Sequence, residues 1–163
     1  MALGHVIYDM LMLLASLSVH RKRGSFPNFE GLTWGEPQIA VDVILLKSRV
    51  LMDFLAPPRT AYSDSIQIMD YGFKLYQLPS DMLQFRRSVN QWSVHLSWQR
   101  VHRSTAQAAQ PAQPDMEKHA LWLLRTANKF VNEALASGFQ LTEDLHRRFL
   151  SAFRSQFQKL NNP

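Results

Sequence analysis

Cysteine is absent from the 163 residues, which excludes a disulfide framework, a thiol nucleophile and a cysteine-based zinc site. Packing alone must hold the fold. Glycine is scarce, with six in the chain. Those in the loop near residues 20–37 are spaced unlike a phosphate-binding loop, and no strand pattern precedes them. No nucleophile-turn motif marks a serine hydrolase. The six histidines form no HExxH or HxH arrangement. His5 and Asp9, at i and i+4, could share a metal in principle, but nothing else stands at ligand spacing. No metal and no cofactor are expected. Acidic residues are outnumbered, 13 against 18 Lys and Arg, for a formal charge of +5. Such a surplus serves solubility, and it also suits an anionic partner such as nucleic acid or a membrane surface.

What the chain does have is apolar content, 46% of its residues. At this length that supports one domain with a real core. The stretch from Ala2 to Val19 is rich in Leu and Met, and its positive charge (Arg21, Lys22, Arg23) follows the apolar run instead of preceding it, unlike a secretory signal. His5, Asp9, Ser16 and His20 interrupt the run, and a charge near the centre of a membrane helix costs roughly 2.5–3.5 kcal/mol. These four positions share one narrow wedge of the helical wheel, while Leu3, Val6, Ile7, Leu11, Leu14 and Leu17 occupy the rest. The pattern is that of a buried helix with one polar stripe. No membrane span and a cytoplasmic location are expected.

Residues 20–37 read as an ordered loop pinned by Phe26, Phe29 and Trp34. A second helix enters at Pro37 and stops before Pro57-Pro58. It is apolar around most of its circumference, except that Asp42, Arg49 and Asp53 fall within about 40° of one another. Either Arg49 and Asp53 neutralise each other at i, i+4, or this wedge faces that of the first helix around a shared site. A short helical turn, capped by Ser63 or Asp64, closes at Gly72. The next helix, capped by Ser80, places Met82, Phe85, Val89, Trp92 and Leu96 on one stripe. Arg100 extends that stripe and needs an acid, with Asp53, Asp42 and Asp70 as candidates. Arg86, Arg87, Arg100 and Arg103 lie among His95, His102, Trp92 and Trp98, a mixture compatible with RNA contact because bases stack on arginine and aromatic planes. Residues 104–114 form a polar low-complexity loop. Helix 115–136 carries Leu121, Leu124, Asn128, Val131 and Leu135 on one face and ends at Gly138. The last helix, 142–160, sets Leu145, Phe149, Phe153, Phe157 and Leu160 opposite Arg147, Arg148, Arg154 and Lys159. It is amphipathic and basic, suited to packing on the core or on a partner. The expected fold is all-α: a single-domain helical bundle of about five main helices spanning residues 1–163.

The segments Leu46 to Leu55 (LKSRVLMDFL), Asp64, Asp70-Tyr71 and Val89 to Arg100 (VNQWSVHLSWQR) together resemble uncharacterised bacterial helical proteins of the HEPN-like kind, over roughly residues 1–103. The resemblance implies a helical bundle, a homodimer, and an RNA-binding protein or metal-independent ribonuclease of a defence or toxin–antitoxin type. The family signature is an arginine, usually followed by a polar residue, with a histidine after four to six intervening residues. Asn90 and His95 stand at the polar and histidine positions. Val89 occupies the arginine position, and Arg87 leaves seven residues before His95. Ribonuclease chemistry of this type needs a histidine to move the 2′-hydroxyl proton and a cation to stabilise the phosphorane-like transition state. The candidate catalytic set is therefore His95 and Asn90 with Arg87 or Arg100, and Arg49 is a further source of charge. The polar core cluster is Arg49, Asp53, Asp42 and Asp70. The alternative is a non-catalytic, homo-oligomeric interaction module in which Arg49, Asp53 and Arg100 form a structural ion network.

Overall fold

The computed structural model describes residues 2–22, 36–58, 66–94, 113–141 and 143–161. These form five α-helices and one 3-10 turn, with no strand among the described residues: α1 (Ala2–Lys22), α2 (Glu36–Leu55), the turn η1 (Ile68–Tyr71), α3 (Ser80–Val94), α4 (Gln113–Ala136) and α5 (Asp144–Asn161). The all-α bundle expected from periodicity is the fold observed.

α1 lies at the centre, in contact with α2, α4 and α5. Its 3-4 spacing of Leu3, Val6, Ile7, Met10, Leu13, Leu14 and Leu17 puts all seven in the core, at about 1.5–3 kcal/mol of hydrophobic stabilisation for each fully buried aliphatic side chain. By length and composition Leu3–Arg21 could also cross a membrane, with a mean hydropathy of 1.3. α2 packs on α1, α3 and α4, and α3 completes the bundle against α2 and α4.

α4 buries Leu124 and Val131 of the expected stripe, and its inward face is rotated from the centre of that stripe. Met116, Leu123 and Phe130 alternate with Ala120, Ala127 and Ala134 at strict 4-3 spacing, and all six are buried. A ridge of large side chains beside a ridge of alanines lets a neighbouring helix approach closely. Leu121 and Leu135 sit at the margin of the core. The alanines carry too little hydropathy to mark the seam in a sequence pattern.

The connection from α2 to α3 is pinned by rings. Tyr71 lies edge-on to Phe54 (centroids 6.0 Å apart) and to Phe130 (5.4 Å), and Phe73 meets Phe130 at 5.3 Å. Gly72 closes η1 in the left-handed region (φ 76°), as expected for that position, and its N–H donates to Met69 O. Beyond it, Tyr76 N–H donates to Leu55 O at 3.1 Å, which ties the incoming chain to the end of α2 and so sets where α3 begins. The expected caps Ser63 and Asp64 lie outside the described residues. So do most of the first loop, the 104–112 part of the second, and residues 95–103 of the α3 reading.

α5 differs from expectation at its start. Leu145, assigned to the apolar face, is half exposed, whereas Leu150 and Phe153 are buried. A row of residues four apart drifts about 40° per step around a helix, so contact centred on Phe153 rotates Leu145 into solvent. The inward position in the first turn belongs to His146, whose imidazole lies against Gly4 of α1. A Cβ at position 4 would fall inside van der Waals contact with the ring carbon and both ring nitrogens. Gly4→Ala is accordingly expected to lower stability by about 1–3 kcal/mol, the usual cost of overpacking. The His146→Ala background should recover most of that loss in a double-mutant cycle read by urea midpoints. Additive losses would mean that the crossing does not depend on this contact.

Candidate functional site

The α1 polar stripe meets α2 at its middle. Lys47 Nζ donates to Asp9 Oδ1 at 2.6 Å, with side-chain exposures of 19% and 14%, and lies 5.1 Å over the Tyr8 ring. A charge pair this sheltered must be matched, because either partner alone would carry an uncompensated desolvation cost. Lys47 is set among the apolar residues of α2, and that context was the available signal that it needs an acid.

The α2 wedge turns toward α3. Asp53 Oδ1 accepts from Arg86 Nη2, and Arg49 Nε lies 3.7 Å from Asp53 Oδ2. Arg86 also donates through Nη1 to Ala56 O at 2.7 Å. It thereby satisfies a carbonyl at the end of α2, where no intrahelical donor remains and the helix dipole is negative. One guanidinium thus holds the carboxylate and the C-terminus of α2 against α3. Arg86, from the third helix, is a cation that was not expected here, and Arg100, the expected third member beside Arg49 and Asp53, lies outside the described residues. Arg86 sits between Met82 and Val89 in the apolar spacing of α3, which was the overlooked clue.

The two wedges share one cleft. His5, Asp9 and Asp53 line a cavity of about 290 Å³ between α1 and α2, floored by Val6, Leu51 and Phe54 and bordered by Val50 and Ile66. Among the described residues no group of three His, Asp or Glu side chains is arranged to hold a metal ion. Both carboxylates at the cleft already have cationic partners. Asp70 belongs elsewhere: its carboxylate accepts from Gln67 N–H at 2.7 Å as part of a capping box on η1. Asp42 is half-buried on α2.

Of the candidate catalytic residues, Arg87 is exposed and Asn90 half-buried on α3. His95 and Arg100 lie outside the described residues. A different histidine, His119 on α4, is buried and stacks on Phe85 with centroids 4.6 Å apart and an interplanar angle of 16°. Its Nε2 lies 3.5 Å from Asp81 Oδ2. Asp81 also accepts from Lys118 at 2.7 Å. The Lys118 ammonium holds the Asp81 carboxyl below the usual carboxylate range, and Asp81 in turn pushes the Lys118 pKa up. The stabilisation from Asp81 is present above the ordinary carboxylate pKa and is lost as pH falls through the lowered value. That from Lys118 is present below the ordinary lysine pKa and is lost as pH rises through the raised one.

The chain matches no family model, no curated protein and no solved structure. Its function is therefore argued from this geometry alone. The geometry describes charges spent on joining helices: Asp9 with Lys47 across α1 and α2, Asp53 with Arg86 across α2 and α3, Asp81 with Lys118 across α3 and α4.

Arg86→Ala is expected to destabilise the fold by about 2–3 kcal/mol, the range for losing hydrogen bonds to a charged group. Asp53 is 39% exposed, which keeps the figure below that for a fully buried pair. Lys129→Ala, an exposed i, i+4 pair with Glu133, should stay within about 0.5 kcal/mol. Equal urea midpoints for the two variants would remove Arg86 from the structural network.

Proposed function

We propose that the protein is a non-catalytic helical interaction module that self-associates through the outer face of α2. The observation that carries this reading is an exposed apolar ridge beside a self-neutralised polar network. Ile39 is 63% exposed, Leu46 47% and Val50 39%. They lie at i, i+7 and i+11 of one helix, with half-exposed Ile66 beside Val50 at the cleft. Isolated exposed leucines are ordinary, but a continuous ridge is a contact surface. A two-fold axis near Leu46 would lay this ridge on its copy, as an isologous dimer requires. A standard interface buries about 800 Å² per partner, so the ridge would be its apolar centre and the flanking charges its rim. In this reading α1 is a core helix, supported by its packing against three other helices, and the protein is placed in the cytoplasm as the sequence led us to expect.

A second reading keeps the HEPN-like resemblance: an RNA-acting protein, with catalysis by His95 and a nearby arginine. Exposed Arg87 and half-buried Asn90, three residues apart on α3, are the members of its set that the structure describes. The alternatives separate in two measurements. Light scattering should give a dimer for the wild type and a monomer for Leu46→Lys, with both variants equally folded by circular dichroism. Metal-free incubation with mixed transfer and messenger RNA should give no cleavage. A monomeric wild type would end the self-association reading, and cleavage that disappears in a folded His95→Ala variant would replace it with the ribonuclease reading.

A further inference from the structure

We propose that the groove between the end of α4 and α5 is a docking site for an acidic amphipathic helix of a partner protein. The inference rests on the interaction-module reading and adds a second surface to it, remote in sequence from α2. The groove measures about 580 Å³ and is lined by Leu135, Phe139, Leu141 and Leu150 with Arg147 and Arg154, and its remaining lining side chains are uncharged. It therefore offers an apolar floor and two cations with no acid among its lining residues. That pairing fits a ligand carrying both apolar side chains and negative charge.

The fold holds both guanidiniums in place. Arg147 donates through Nη1 to Leu141 O at 2.8 Å, and its Nε lies 3.6 Å from Asp144 Oδ1. Arg154 donates through Nη2 to Asn132 Oδ1 at 2.7 Å. Each tether uses part of a five-donor group. The remaining N–H donors are free to meet a carboxylate at reduced entropic cost, because the side chain is already oriented. The groove exists because Gly138 takes a left-handed turn (φ 94°) that ends α4, while Phe139 N–H returns to Ala134 O. This leaves Phe139 39% exposed at the groove wall.

Spacing selects the form of the partner. Arg147 and Arg154 stand seven residues apart on α5, a backbone rise of about 10.5 Å, and carboxylates at i and i+7 of a partner helix have that same backbone spacing. Leucines at i+3 and i+4 would fall between them, over Leu150 and Phe139. An extended strand presents same-face side chains at about 7 Å or about 13 Å, and neither separation matches. A planar lipid surface would reach the arginines and miss Leu150, which forms the recessed floor and is 5% exposed.

The test is fluorescence anisotropy with a labelled synthetic helical peptide that has glutamates at i and i+7 and leucines at i+3 and i+4. One control peptide carries lysines in place of the glutamates, and another carries serines in place of the leucines. Saturable binding of the glutamate–leucine peptide alone is expected, weakening as salt rises. Arg147→Gln and Arg154→Gln should each weaken it about three- to fivefold, the scale of a partly exposed ion pair. Phe139→Ser should also weaken it, and circular dichroism should report a folded protein for all three variants. Leu46→Lys should leave peptide binding intact, so loss of self-association and loss of groove binding are read separately. Equal binding of the lysine peptide, no effect of either arginine substitution, or no saturable binding of the glutamate–leucine peptide would overturn the proposal. Binding to phosphatidylserine vesicles or to RNA, lost in the arginine variants while the peptide stays unbound, would also overturn it and reassign the basic face.

Discussion

Burial of α1 is the constraint on which the rest of the bundle depends. α2, α4 and α5 all pack against it, and its buried side chains run nearly its full length from Leu3 to Leu17. A helix surrounded on three sides has little room for charge, and two charged residues of α1 find partners on neighbouring helices. Asp9 finds Lys47, and Arg21 finds Glu117 near the start of α4. These two ion pairs accompany that central burial and tie α2 and α4 to α1 at defined positions.

Arg86 has a similar role one layer out. α3 is short, and Met82, Phe85 and Val89 are its buried residues among the described side chains. Its orientation is secured by one guanidinium that reads both a carboxylate and a helix end on α2. The same geometry commits the Asp53 carboxylate to two arginines, one on its own helix and one on α3. Among the described residues Ser48 Oγ and Tyr71 OH are enclosed without a hydrogen-bond partner.

The surface divides into two regions of different chemistry. The outer face of α2 is apolar beside neutralised charge, suited to a second copy. α5 and the end of α4 combine an apolar floor with two arginines and no acid among the lining residues, suited to an acidic partner. The α2 ridge borders the α1–α2 cleft at Val50 and Ile66, whereas the α4–α5 groove shares no lining residue with it, so a small domain could hold two contacts at once.

Helix number, order and approximate limits were legible because hydrophobic periodicity and the Pro and Gly stops act locally: Pro57-Pro58 ends α2, Gly72 closes η1 and Gly138 ends α4. The i, i+4 relation of Arg49 to Asp53 was legible for the same reason. The identity of the residue that completes that pair was decided by tertiary structure, because Arg86 is 33 positions from Asp53 and only the antiparallel return of α3 brings them together. The alanine seam of α4 and the inward turn of His146 onto Gly4 were also hidden. Small side chains and histidine carry weak hydropathy, and their placement follows from how closely two helices can approach. Local propensity determined which segments are helices, and long-range packing decided which face of each is inside.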